Sequence, residues 1–536
     1  MKKLGFLVVL LIFYIYHPWF FINKTLSSGD FPYLFLENIK EFSFFPNPPF
    51  LWLVPYYQIG ARVFVQYLGL SWHLAEKILW FWPFLGLSIF SSFYLTRSWI
   101  GVLIYTTSTY PLMLVGGGQM GVAVAYALAP LVLKQFINLV DRLALPSQNF
   151  KFKISNLKFP MGLGLVLGIQ MMFDPRITYI TMLGVFIYMS IIFFTSKKIL
   201  LKNFLAFIIP IIFALFLNVF WIIPILTYGF PKGLEGYSSL LGFQFLSFAD
   251  FSHSFSILHP NWPENIFGKI YFMRSEFVLL PILAYSSLLF LKNRTQNHAE
   301  QNAEPRRILF FAALGLVGAF LAKGANPPFG FVNEFLFQYF PGMSMFRDAT
   351  KFYLLVVLSY SALIPFSLLA ISEKVSSIKY QVSSKKIIIH NTYYIILTSF
   401  IVFWIFLIRP AVTGELGGAF KSHDVPQEYI GFKNFINKHP DSFKTLWVPQ
   451  KQRFGFSSVL HPAEESKENL TSLKREKISE RSIKYIVVPF DSEKEIFLDD
   501  RKYSEKRRNE LIKSLDSLSW LQKIPEFGDL AVFEVK

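Results

Sequence analysis

Few side chains in this sequence could do chemistry, and most are carboxylates or cations beside long apolar runs. Asp30, in "SSGDFPYLF" (27–35), is the first carboxylate of the chain. An acid beside an apolar surface is costly unless it is paired or serves a site. A helix cap or a loop ion pair to Lys24 or Arg176 would explain it without a site. "MMFDPRITYI" supplies Asp174 and Arg176 around an Asp-Pro pair, where the aspartate could cap the next helix or pair with the arginine. "PGMSMFRDATKFYLL" (341–355) supplies Arg347, Asp348 and Lys351. Two cations one turn apart could hold a phosphate, arginine by its forked donors and lysine as a point charge. Snorkelling at a membrane interface would explain the same cations without a site. His253, His259 and Trp262 fall in the segment 227–276, which could line a cleft or equally lie flat on the membrane through "FQFLSF", and the two histidines are not expected to form a metal pair.

The elements that must position these residues are apolar. Of 536 residues, 53% are hydrophobic, 18% are aromatic and only 16% are charged, which makes lipid the expected solvent. With 0 Cys, disulfide frameworks, thiolate chemistry and zinc–cysteine sites are excluded. About eleven runs have the length or character of a membrane-crossing helix. They are 4–22, 76–96, 98–115, 120–140, 159–173, 177–196, 203–226, 277–292, 308–322, 352–371 and 392–410. The first ends in "HPWFFINK", without a small-residue cleavage site, and is expected to be retained rather than removed as a signal peptide. With Lys2 and Lys3 in the cytoplasm, the inner loops collect most of the basic residues before 412. Counting 50–70 as a further span would reverse that bias, so this run is expected to lie on the outer surface as a juxtamembrane helix.

Residues 1–412 thus read as a polytopic membrane domain with outer loops 23–75, 227–276 and 323–351. Residues 413–536 carry 21 Lys and Arg against 20 Asp and Glu, so nearly all of the formal +17 belongs to the membrane part. That is the charge pattern of topology, and no nucleic-acid partner is expected. "FKTLWVPQ", "IKYIVVPFD" and "LAVFEVK" read as strands and 503–518 as a charged helix, giving a small extracytoplasmic α/β domain.

Four segments carry a family likeness: "GDFPYLF" after the first helix, "GGGQMGVAVAYALAPLVL" (116–133), "LHPNWPENIFG" (258–268) and "NPPFGFVNEFLFQYFPGMSMFRDATKF" (326–352). With the helix-rich first part and the tail, the chain resembles the GT-C superfamily of membrane glycosyltransferases. More narrowly, it resembles the membrane part of mycobacterial-type arabinofuranosyltransferases and their prokaryotic relatives. Those enzymes are much larger, so arabinose specificity is not implied. The resemblance implies an inverting enzyme in the cell membrane that moves a sugar from a polyprenyl-phosphate donor to an envelope glycan or glycolipid. Asp30 would be the catalytic base. Arg347, Lys351 and Arg176 would face the donor phosphate, with Asp174 and Asp348 as candidate second acids and His259 and Trp262 in the sugar cleft. No cofactor is required by the motifs, and a divalent cation stays open. A catalytically inactive scaffold of the same fold and a transporter of lipid-linked glycan are the rival readings. The transporter fits less well, since the spans are almost free of ionisable residues at their centres and no internal repeat is visible.

Overall fold

The computed structural model describes residues 2–21, 23–26, 39–41, 50–143, 154–202, 205–229, 239–260, 273–294, 303–382, 387–414, 416, 422–452, 454–465, 475–490 and 505–536. Asp30 and Trp262 lie outside the described residues.

In lipid every backbone N–H and C=O must find its partner within the protein, so an apolar run becomes helix. Among the described residues, each of the eleven runs is mainly helical. Five helices are long and apolar enough to cross a membrane: Trp72–Thr96, Met120–Leu143, Pro175–Phe193, Pro305–Ala322 and Ala349–Ser376. Two bent pairs, Trp99–Thr107 with Thr109–Gly116 and Ala206–Leu217 with Val219–Tyr228, raise the number to seven if each is one span. Lys3–Trp19, Lys158–Phe173, Ser275–Leu291 and Thr392–Leu407 are shorter apolar helices. The run at 50–70 is helical over Val54–Ala61 and Arg62–Tyr67 and is not among the candidate spans.

The sharper bend has an identifiable cause. At the 72° break, the Asn218 amide donates to the carbonyls of Gly168 and Ala214, both at 2.9 Å, and its oxygen accepts from the Trp221 indole at 2.7 Å. A side chain thus replaces part of the backbone ladder. The helix Tyr353–Val382 is central, with Tyr353, Leu354, Leu355, Val356, Val357 and Leu358 all buried. Gly315 and Gly318 let the helix Ala303–Ala322 lie close against it. An added Cβ would come within 2.6 Å of Ser359 Oγ at the first and 2.7 Å of Leu355 Cβ at the second.

The tail forms a five-stranded sheet. In chain order its strands are β3 (Lys444–Trp447), β4 (Ala463–Glu465), β5 (Ile483–Val488), β6 (Leu521–Ile524) and β7 (Ala531–Val535). The spatial order is β4-β3-β5-β7-β6, with β3 parallel to β4 and β5, and β7 antiparallel to β5 and β6. Both faces are covered, as the alternation along β5 shows. Tyr485 and Val487 pack with Tyr429, Phe432 and Ile436 of the helix Gln427–Ile436. Ile486 and Val488 pack with Ile478 and Leu515 of the helices Arg475–Glu480 and Glu505–Asp516. A separate two-stranded pair joins β1 (Thr25–Leu26) to β2 (Ser422–His423), tying the segment after the first helix to the segment before the sheet.

Candidate functional site

A small cavity of about 50 Å³ lies where three connections meet. Its walls include Tyr110, Gln119, Phe248, His259, Asp348 and Lys351. Gln119 arrives by a sharp turn: the helix Thr109–Gly116 ends, Gly118 takes φ +69°, and the helix Met120–Leu143 begins. The φ is one that glycine adopts without a steric penalty. His259 is brought in by hydrogen bonds on its own backbone neighbours. The Thr109 hydroxyl donates to the Ile257 carbonyl and accepts from the His259 N–H at 2.9 Å, while the Tyr353 hydroxyl donates to Leu258 at 2.9 Å.

Asp348 caps the turn Ala349–Phe352 at the start of the central helix. Its Oδ1 accepts from the Thr350 N–H at 3.0 Å and hydroxyl at 2.6 Å, and its Oδ2 faces Lys351 Nζ at 3.0 Å. Burial opposes the charge of this carboxyl, but the Lys351 ammonium and the Thr350 donors outweigh it and hold the pKa below the ordinary value. Asp348 is therefore ionised at neutral pH. Lys351 is buried, whereas Asp348 keeps 30% of its side-chain surface.

A second ion pair stands at the head of the helix Pro175–Lys202. Asp174 is buried and caps it, Oδ1 accepting from the N–H groups of Arg176 at 2.8 Å and Ile177 at 3.1 Å. The Arg176 guanidinium clasps the same carboxylate, Nη2 to Oδ2 at 2.6 Å, and lies over Trp52 at 5.7 Å. Arg176 and Asp348 are close enough to act on each other's charge, and the Tyr110 hydroxyl feels both.

Beside this polar cluster runs an apolar groove of about 480 Å³. Tyr179 and Leu183 of the Pro175 helix, Leu316 and Phe320 of the Pro305 helix, and Leu336 and Phe340 form its walls. Tyr179 is one turn along from Arg176 and donates to the Pro341 carbonyl at 2.9 Å. One helix thus carries the ion pair at its tip and a groove wall on its flank.

Two crystal structures of the Archaeoglobus fulgidus oligosaccharyltransferase are similar to this chain in overall fold. One is in the apo form, and the other is tethered with an acceptor peptide containing the NVT sequon via a disulfide bond. Both align with TM-score 0.50 and 10% identity, over 91% of this chain and 69% and 68% of theirs. The fold is GT-C-like. No family model and no curated protein matches the sequence. The likeness is therefore one of fold, and the narrower arabinofuranosyltransferase resemblance finds no support in it.

Within this GT-C-like fold the anticipated residues divide. Asp348, Lys351 and His259 share the cavity, and the Asp174–Arg176 pair stands near it. Arg347 is not among the cavity's walls, and the position of a Cβ at Gly242 lies 3.8 Å from its Cδ. Of the two cations expected to face a phosphate, Lys351 thus lines the cavity, carried there by the turn at 349–352, and Arg347 lies outside its walls. Lys24 pairs with Asp424 at 3.5 Å and Arg176 with Asp174, so both loop partners considered for Asp30 have carboxylates of their own. Among the described residues no group of three or more His, Cys, Asp or Glu is placed to hold a metal. Both oxygens of Asp174 and of Asp348 are engaged by N–H, hydroxyl or cationic donors.

Three polar residues were not anticipated. Tyr110 is buried in an apolar run, where nothing in sequence separates it from core. Lys323 directly follows the Pro305–Ala322 run and resembles a snorkelling lysine. It is wholly buried instead, its ammonium on the carbonyls of Asn326 at 2.6 Å and Gly324 at 3.4 Å and 4.7 Å from the Phe320 ring centroid. Burial lowers its pKa. The third, Glu76, is joined to Lys77 within the protein.

The His259 ring lies between Tyr110 and Tyr353, with centroids at 5.9 and 5.4 Å. Burial lowers its pKa to about 4, against the pull of Asp348 and with a further push from Lys351. The unfolded chain titrates near 6.5, so between these values it binds more protons than the native state. His259 therefore contributes stability fully present above pH 6.5 and lost as pH falls toward 4, at most about 3 kcal/mol. The apparent unfolding temperature should drop across that window, and His259→Gln should flatten the slope. An unchanged slope in the variant would remove His259 as its source.

Proposed function

We propose that the protein is an inverting glycosyltransferase that moves a sugar from a polyprenyl-phosphate donor to an envelope glycan or glycolipid. The observation that carries this reading is the polar cluster set against an apolar groove along one helix. Such a site suits an anionic head on a long hydrocarbon tail. In this reading the eleven apolar helices cross the cell membrane with the N-terminus inside, and the 413–536 region lies outside as a domain bearing on the acceptor.

Attack by an acceptor hydroxyl on the anomeric carbon requires removal of one proton, and the Asp30 carboxylate takes it. The bond to the lipid phosphate breaks as the new glycosidic bond forms, so a single displacement inverts the centre. Negative charge then grows on the departing phosphate, where fixed cations lower the barrier. In this reading Lys351, Arg176 and Arg347 supply those cations, and His259 and Trp262 bind the sugar. A neutral His259 at pH 7 can exchange hydrogen bonds with sugar hydroxyls without adding charge.

One observation favours the rival of an inactive carrier-binding protein: Lys351 and Arg176 are each already matched by a carboxylate. The deciding experiment measures transfer from a panel of radiolabelled polyprenyl-phosphate sugars to an envelope glycolipid extract, using purified wild type and Asp30→Asn. Transfer by the wild type that falls at least 100-fold in a folded variant supports the enzyme and its base. Equal transfer by both discards Asp30. Carrier binding without transfer by the wild type, weakened by Arg347→Ala, selects the scaffold.

A further inference from the structure

We propose that the helices Leu240–Phe245 and Gly330–Tyr339 together form a membrane anchor, lying in the interfacial zone of the leaflet at the cavity end of the bundle. The inference rests on the chain being a membrane protein and not on the proposed reaction. The two helices pack on each other through Phe243 and Phe337, whose rings stack at 4.5 Å and 17° and are both buried. Gln244 Nε2 donates to Glu334 Oε1 at 2.7 Å across the same joint. The apolar contact between the helices is thus satisfied, yet both carry a second apolar face.

On the shorter helix that face is Leu241 and Phe245. On the longer it is Phe331, Phe335 and Tyr339. These five side chains are between 60% and 78% exposed. A spacing of four residues gathers each set on one side of its helix. Phe329 is exposed next to Phe331, and Phe340 continues the strip beyond Tyr339. Single exposed apolar residues are ordinary, but a contiguous aromatic surface of this kind marks an interaction site.

Lipid is the occupant that the surroundings select. Phe340 is half-exposed and at the same time a wall of the apolar groove, which it shares with the exposed Leu316 of the candidate span Pro305–Ala322. The patch therefore runs on into the lipid-facing side of the bundle. No charged residue occurs between 335 and 346, so nothing charged separates the two surfaces along the chain. Phe, Leu and Tyr are also the types that interfacial helices turn toward acyl chains, with polar groups such as the exposed Gln338 left for the headgroups. The anchor puts the groove wall at Leu336 and Phe340 in the same phase as the bilayer. An amphiphile's tail would then enter sideways from the leaflet rather than through water.

The chain has 0 Cys, so a single introduced cysteine takes a nitroxide label at one place. The experiment places Leu241→Cys, Phe331→Cys and Phe335→Cys variants of the whole chain in phosphatidylcholine vesicles. Collision rates are compared for oxygen, which concentrates in lipid, and a nickel chelate, which stays in water. Phe186→Cys, exposed on the Pro175–Phe193 span, is the lipid reference, and Lys523→Cys on β6 is the water reference. All three labels should show an oxygen-to-nickel ratio several-fold above the Lys523 reference and close to that of Phe186. A ratio like that of Lys523 would overturn the anchor, and so would labels that neither collider reaches, since protein would then cover the face. If Phe186 itself reads as water, the membrane reading fails and takes the anchor with it.

Discussion

Replacing Glu76 by glutamine is expected to destabilise the protein by about 3–5 kcal/mol, the largest single effect among its charge pairs. Glu76 and Lys77 are 0% and 2% exposed and paired directly with each other. Glu76 also accepts from the Thr25 hydroxyl at 2.9 Å and the Leu26 N–H at 3.2 Å, while Lys77 donates to the Lys24 carbonyl at 2.8 Å. The pair is therefore a clamp on β1, the strand that meets β2 beside the tail. Glutamine keeps an acceptor for Thr25 and Leu26 but leaves the Lys77 ammonium buried with no carboxylate. A buried ion pair adds little net stability over an apolar one, because desolvation offsets attraction. The double variant Glu76→Gln/Lys77→Met should accordingly recover most of the loss. Thermal unfolding of the three proteins in one detergent decides it. If the double variant is as unstable as the single one, the hydrogen bonds on β1 hold the structure and the charge does not. Asp30 follows Leu26 by four residues in the chain. On the proposed reaction, the single variant's transfer rate should fall further than its folded fraction.

What sequence made visible follows from how local each signal is. A hydropathy run reports its own helix, so the apolar helices were legible, five to seven of them long enough to cross a membrane, and the bend at Asn218 was not because its partners Gly168 and Ala214 belong to other turns and another helix. β3, β5 and β7 and the helix Glu505–Asp516 were readable from their alternation and charge. The three-residue β4 and the half-exposed β6, with its "LQKI", lacked that pattern. At the site, Asp174–Arg176 and Asp348–Lys351 are two and three residues apart, within reach of a sequence argument. The groove is built from Tyr179, Phe320 and Phe340, on segments that pack only in the folded chain. The same distance hid the bond from Thr25 to Glu76, and the burial of Lys323 was not legible because it depends on the loop that follows it.

Asp348→Asn and Lys351→Met remove opposite halves of one ion pair and should fail in different ways. The amide introduced by the first variant would retain an acceptor for Thr350 but leave Lys351, 6% exposed, without its carboxylate. That change should cost about 3 kcal/mol, as expected when a buried charge loses its partner. In the second variant the remaining Asp348 keeps both Thr350 donors and 30% of its surface, so the cost should stay near 1 kcal/mol. Transfer should show the reverse order. If Lys351 meets the departing phosphate, Lys351→Met should lower the rate by about 10²–10³. Lys351→Arg, which retains the charge, should restore part of it. The ion pair itself explains how one cation can serve both needs. With no substrate, Asp348 neutralises Lys351 inside an apolar bundle, and an arriving phosphate would compete with Asp348 for the same ammonium. Asp348→Asn would then bind donor more tightly while folding less well. If instead all three rates track the folded fraction alone, the pair is a structural clamp and the phosphate is held elsewhere in the cluster.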